Sequence, residues 1–263
     1  VVNFAQGEMA MFSTFIAWQF YELGLPIAVA IVASMAVSFL GGALIERVII
    51  RPVGDAAKNP LAIVIVTIGM LLALNALVKW IWGPEGRTFP KIFSANTIEL
   101  GGVSISYQAI GILAVLAVEL VLLYLLFQKT KFGLAMRSVA SNTESSRLVG
   151  IPVGRMLMFG WGLAASVGAL AGALYASQLA VLDTTIFFQL LVYAFASATL
   201  GGFDSPVGAV VGGLIVGVVT VMAGGYIGWL GEDLKLLAAF LVILVVLLVR
   251  PQGLFGKKQV SRV

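Results

Sequence analysis

Residue types that usually carry chemistry are scarce in this sequence. Its 263 residues include no histidine and no cysteine. That removes disulfides, thiolate nucleophiles, Cys/His zinc sites, His-based triads and histidine proton relays. One stretch, Gly253-Leu254-Phe255-Gly256-Lys257-Lys258, looks like a nucleotide loop. A phosphate loop needs Gly where Pro251 stands and Ser or Thr where Lys258 stands, so this chain is not expected to bind ATP by itself. No nucleophile, metal cluster or paired carboxylate is visible, and no catalytic residue, metal or cofactor is expected.

Three features remain. Glu119 is the one ionisable residue well inside an apolar run. Such a carboxylate is either a proton or cation site or a carboxyl bonded to a neighbouring helix or partner subunit; with no base or second acid at its depth, the second reading is favoured. Asn3-Phe4-Ala5-Gln6-Gly7-Glu8 is polar, contains a helix-weakening Gly and abuts an apolar run. It reads either as a broken helix lining a polar pathway or as an ordinary interfacial helix start. The third is the polar segment 129–155. Ser141 followed by Glu144 matches a capping box opening a helix over 142–149, with Gly150 as left-handed C-cap and Pro152 preventing continuation. A helix of about two turns is too short to stand alone and needs a docking surface. Leu148, Val149 and Ile151 would enter a groove of another protein, with Arg137 and Arg147 at the rim; the alternative, a helix lying on lipid headgroups, has too few large apolar residues, and partner docking is favoured.

The elements that must position these residues are membrane spans. The chain is 60% hydrophobic and 11% charged, with a mean hydropathy of +1.07, whereas soluble domains are about a quarter charged. Charge-free stretches separate Glu22 from Glu46, Lys58 from Lys79, Glu99 from Glu119, Arg155 from Asp183, Asp183 from Asp204 and Asp204 from Glu232. Crossing a hydrocarbon core takes about 20 such residues. Apolar runs fall near 9–23, 26–45, 60–82, 107–128, 156–182, 185–200, 207–225 and 234–249. The expected fold is an all-α, polytopic transmembrane helical bundle of about seven to eight segments, in which 185–200 is short enough to be re-entrant. The whole chain, 1–263, is expected to form one transmembrane domain.

Orientation follows from the basic residues. Arg47, Arg51, Lys58, Lys129, Lys131, Arg137, Arg147, Arg155, Arg250, Lys257, Lys258 and Arg262 fall on one side, and Lys79, Arg87, Lys91 and Lys235 on the other. By the positive-inside rule the first set and the C-terminus are cytoplasmic and loop 83–106 faces out. The net charge of +4 therefore marks orientation, and no nucleic-acid partner is expected. Small residues recur every four positions at Gly160, Ala164, Gly168, Gly172 and Ala176, and at Ala30, Ser34, Ser38 and Gly42; Gly208 pairs with Gly212 and Gly213 with Gly217. These stripes fit static close packing or helices that rock past each other.

Seven fragments, in order, give the sequence a family likeness: NFAQGEMAMF at 3–12, ERVIIRPV at 46–53, Thr67-Ile68-Gly69 with Asn75 following, WGPEGRTFP at 82–90, TKFGLAMRSVASNTESSRLVGI at 130–151, Ala194-Phe195 with TLGGFDSPVGAVVGGLIVG at 199–217, and LLVRPQGLFGKK at 247–258. The chain resembles the permease subunits of branched-chain amino-acid ABC importers. The resemblance implies that Asn3, Gln6, Gly7 and Glu8 lie in a broken helix near the translocation pathway, with Thr67 and Asn75 added to that set. It also implies that 130–151 docks a cytoplasmic ATPase through Gly133, Arg137, Asn142, Glu144, Arg147, Leu148, Gly150 and Ile151. Implied partners are a second related permease, two cytoplasmic ATP-binding subunits, a periplasmic substrate-binding protein and the lipid bilayer of a bacterial inner membrane. The family normally carries a further segment before NFAQGE, which fits a chain opening Val1-Val2 without an initiator Met. Gln6 stands where the family usually has His, and Glu119 belongs to no family pattern.

The expected function is translocation of branched-chain or other hydrophobic amino acids, with ATP hydrolysed on partner subunits. A related importer for urea or short amides is the alternative, followed by an autonomous ion-coupled secondary transporter, for which Glu119 would be essential. An integral-membrane enzyme fits worst.

Overall fold

A computed structural model describes residues 3–54, 60–203, 205–226 and 235–256. Lys58, Lys257, Lys258 and Arg262, which entered the orientation argument, lie outside the described residues. The chain forms two compact units, Val1–Phe187 and Phe188–Val263.

The first unit opens with α1 (Gln6–Glu22), a turn through Gly24, and α2 (Ile27–Ile45), which starts directly after Pro26. Proline suits this place because it has no N–H to leave unpaired. The helix does not stop at Ile45. It widens into a π turn, Glu46–Ile50, and ends in α3 (Arg51–Val53). The Arg51 N–H donates to the Glu46 carbonyl, five residues back. The same spacing stacks their side chains, with Arg51 Nη2 2.7 Å from Glu46 Oε2. Arg51 also donates to the carbonyl of Gly154, 2.9 Å away.

Next come α4 (Pro60–Trp82), β1 (Arg87–Thr88), β2 (Thr97–Leu100), β3 (Val103–Ser106) and α5 (Tyr107–Lys129). Strands β2 and β3 form an antiparallel hairpin. Its two-residue turn, Gly101-Gly102, has φ of 58° and 83°. Two successive positive φ values are what a tight hairpin turn demands and what glycine supplies without a Cβ clash. The segment before the hairpin is strapped down by side chains. Gln108 Oε1 accepts from the Phe93 N–H, Gln108 Nε2 donates to Ser177 Oγ, and that hydroxyl accepts from the Ile92 N–H.

Two short helices follow, α6 (Lys131–Ser141) and α7 (Thr143–Leu148), then the long α8 (Val153–Leu179) and β4 (Val181–Leu182), which pairs with β1. Helices α1, α2 and α8 form the packed centre of this unit. Ala30, Ser34, Ser38 and Gly42 are all buried along α2. A Cβ on Gly42 would lie 2.5 Å from the Trp161 carbonyl oxygen, and one on Gly162 2.7 Å from that of Phe39. Backbone meets backbone here, as small-residue stripes allow. The buried line on α8 differs partly from the expected one. Gly168, Gly172 and Ala176 are buried, but Ala164 is exposed, and Gly162 and Ala165 take the inward places. A straight α-helix drifts about 40° for every four residues, so a four-residue stripe turns off the contact within a few turns.

The second unit holds most of α9 (Ile186–Gly201), with α10 (Pro206–Tyr226) and α11 (Lys235–Val249). Gly208 packs on the carbonyl of Gly201 and Gly212 on that of Ser197, whereas Gly217 faces open space. The sequence that looked like a nucleotide loop has a packing role: the N–H groups of Leu254 and Phe255 donate to the carbonyls of Leu200 and Gly201, closing the end of α9.

Among the described residues, Ile27–Val53, Pro60–Trp82, Tyr107–Lys129, Val153–Leu179 and Pro206–Tyr226 are long and apolar enough to cross a membrane. Helix α9 has 16 residues, about 24 Å at 1.5 Å per residue, short of a hydrocarbon core of about 30 Å.

Candidate translocation and coupling sites

The polar N-terminal residues gather at the start of α1. Asn3 Oδ1 accepts from the Ala5 N–H, and Asn3 Nδ2 donates to Gln6 Oε1. Gln6 Nε2 in turn donates to the Ala164 carbonyl of α8 at 2.9 Å. The helix runs unbroken from Gln6 to Glu22, and among the described residues these amides stand at its amino-terminal end. Gly7 is buried and Glu8 is 2% exposed; Glu8 Oε2 has no hydrogen-bond partner among the described residues. A buried carboxyl oxygen without a donor is costly.

Helix α4 supplies the other face. Ala5 and Met9 share a core cluster with Ile63 and Met70. Thr67 lies between those two on the same buried stripe, and its hydroxyl donates to the Val64 carbonyl. Thr67 is therefore on the α4 face that meets α1. Asn75 is half-buried, more than two turns further along.

Glu119 lines an apolar cavity of about 440 Å³ bounded by α2, α5, α8 and Phe93. The expected bond to a neighbouring helix is not made by its buried Oε1, which has no partner among the described residues.

Segment 129–155 folds as two helices joined by an elbow. Helix α6 was missed in the sequence reading, although Thr130 is a good N-cap and Phe132, Ala135, Met136 and Val139 follow at helical spacing. Thr130 Oγ1 accepts from the Gly133 N–H. Gly133 is needed because its Cα lies against the turn ending α5, where a Cβ would overlap the Phe127 backbone. The cap of α7 also differs from expectation. Ser141 ends α6, and Asn142 caps α7 instead, its Oδ1 accepting from the Ser145 N–H at 2.9 Å. The C-terminal expectation stands: Gly150 has φ 79°, its N–H donates to Arg147, and the Ile151 N–H reaches back to Ser146.

Ser138 and Ser146 hydroxyls, 3.0 Å apart, hold α6 and α7 together. Arg137 donates to Gln128 Oε1, back onto α5. Val139, Val153 and Met156 form a cluster with Phe132, Met136 and Ile151 packed on it. Ile151 is half-buried against this cluster. Leu148 and Val149 are 89% and 74% exposed, while Glu144 has a partner. Phe132 packs edge-on against Phe159 at 4.4 Å, and Phe159 against Phe39 at 5.1 Å. Three rings thus connect the elbow to α8 and α2.

Long apolar helices packed through glycine and serine, with a helical elbow outside the spans, define a multi-pass membrane protein with no visible catalytic centre among the described residues. The family described as branched-chain amino acid transport system, permease component, matches residues 1–249. This chain belongs to that family. It is 30% identical over its full length to the high-affinity branched-chain amino acid transport system permease protein BraD of Pseudomonas aeruginosa, covering 88% of that protein. It is 28% identical, with the same coverage, to LivH of Escherichia coli K12. With a probable branched-chain amino acid transport permease protein LivH of Methanocaldococcus jannaschii it shares 25% over 97% of its length and 83% of the relative's. No solved structure matches.

Proposed function

We propose that the chain is the permease subunit of an ATP-binding cassette importer that moves branched-chain or other hydrophobic amino acids across a bacterial inner membrane. All of 1–263 works as one permease domain beside a second related permease, with its C-terminus in the cytoplasm. ATP is hydrolysed on two partner subunits, and a periplasmic binding protein delivers the solute. The path runs past Asn3, Gln6, Gly7, Glu8, Thr67 and Asn75. The lever is the α6–α7 elbow, shaped by Gly133, Arg137, Asn142 and Gly150, with Arg147, Leu148 and Glu144 facing the ATPase and Ile151 holding the elbow to α8.

The observation that carries this reading is the pair Leu148 and Val149. Two large apolar side chains stand exposed on a helix capped at both ends, outside the long apolar helices. Such a helix is too short to persist without tertiary support, and here the support comes from α6 and α8. Movement of the elbow is transmitted through Phe132, Phe159 and Phe39 to the closely packed α2–α8 pair, as rigid-body switching between two states requires.

The test uses the absence of cysteine from the chain. Leu148→Cys provides a single thiol. In the assembled complex it is expected to crosslink to an ATP-binding subunit with a short bifunctional reagent, with a yield that changes when ATP is added. Crosslinking to lipid alone, with no ATP-binding subunit captured, would overturn the assignment.

A further inference from the structure

A second polar site lies at the end of the spans where the elbow sits. Arg47 from the π turn, Arg51 from α3, Arg147 from α7 and Arg155 from the first turn of α8 surround a cavity of about 520 Å³, with Val153 and Gly154 in its wall. Among the described residues no carboxylate lines it. The nearest acid shown bonding to it is Glu46, 1% exposed and paired with Arg51 from beneath. That pair, with the Arg51 bond to Gly154, holds one guanidinium in a fixed position. The amino-terminal end of α8, a 27-residue helix, adds its partial positive charge. With Arg51 neutralised by Glu46, Arg47, Arg147 and Arg155 remain as like charges around one cavity; they repel one another, and an anion would relieve that repulsion.

The surroundings indicate which anion. Beside Arg47 stand Leu44 and Val48, and beside Arg155 stands Leu157, all exposed apolar side chains on helices long enough to span a bilayer. The cavity thus opens on guanidinium groups carried by the same helices that bear these exposed apolar side chains. We propose that this pocket binds the phosphate headgroup of an anionic phospholipid, with its acyl chains along Leu44, Val48 and Leu157. Guanidinium groups suit phosphate oxygens because they donate in parallel pairs, and basic pockets at span ends are recurrent lipid-head sites. The inference needs only the spanning helices and the packed α7, so it stands or falls independently of the transport assignment. Because Arg147 is shared with the elbow, a bound lipid would restrain the same lever.

The test is native mass spectrometry of the full chain in detergent, titrated with phosphatidylglycerol. Substituting Arg47→Gln together with Arg155→Gln is expected to weaken binding roughly tenfold to thirtyfold, given about 1 kcal/mol per basic residue at a lipid surface. Lys129→Gln, which removes a charge at another span end, is expected to leave binding unchanged, and phosphatidylcholine is expected to bind no better than the double variant binds phosphatidylglycerol. Equal weakening by Lys129→Gln would mean diffuse attraction and would overturn the pocket. Competition by inorganic phosphate at the same concentration as the lipid would make it a soluble-anion site instead. A double variant that keeps its lipid binding but, in the assembled complex, loses the ATP-binding subunits would make the arginines a protein interface, and the lipid proposal would be wrong.

Discussion

Gln108 shows how much one side chain can hold. It is 4% exposed and joins the Phe93 backbone to the Ser177 hydroxyl. Gln108→Leu strands the Phe93 N–H and removes one of the two bonds of the Ser177 hydroxyl, which keeps the Ile92 N–H, at about 1–3 kcal/mol for a stranded buried donor. A clear drop in Tm in detergent is expected, larger than for Gln128→Leu, whose bond to Arg137 is exposed. Asn142 is a second such residue. Its cap is worth about 1 kcal/mol, so Asn142→Ala should speed amide exchange at Ser145 about fivefold; unchanged exchange would show that packing alone holds α7. Which residue capped this helix was only half legible. Ser141 and Asn142 are adjacent, and both are good caps. The choice was made by the apolar spacing of α6, which carries helix through Ser141 and leaves the extended conformation to Asn142. Glu8 was legible as polar but not as buried, because one sequence does not show which helices cover α1.

Among the elements, the apolar runs located the long helices to within a few residues, since few charges can sit inside a span. The outer loop gave less away. Hairpin β2–β3 was missed, though Gly101-Gly102 between two four-residue strands is the usual signal for it, because attention to apolar length passes over short polar strands. The small-residue stripes were legible, but their partners were not. The structure separates glycines that touch another backbone from those that do not, and this sets a paired prediction. Gly162→Leu should abolish recovery of monodisperse protein by fluorescence-detected size exclusion, because its Cβ position overlaps the Phe39 carbonyl. Gly217→Leu, with open space around it, should be recovered at the wild-type level. Equal recovery of both would mean that the α2–α8 contact is not close-packed.

For the molecule as a whole, the scarcity of chemistry is itself informative. The chain has no histidine and no cysteine, and few charges fall inside its apolar runs. Its energy is expected to arrive mechanically, through an elbow bonded to α5, packed on α8 and linked by three aromatic rings to α2. Glu119 is the residue on which the competing ion-coupled account depends. Its place in an apolar cavity on the flank of α5 sets it apart from the α1–α4 group that forms the proposed path. The most direct test is solute uptake into proteoliposomes containing the assembled complex, supplied with binding protein and with ATP inside. Leucine uptake is expected to require ATP, to fall to background in Leu148→Asp, and to persist in Glu119→Gln. Uptake that proceeds without ATP on an imposed ion gradient, survives Leu148→Asp and is abolished by Glu119→Gln would contradict the account.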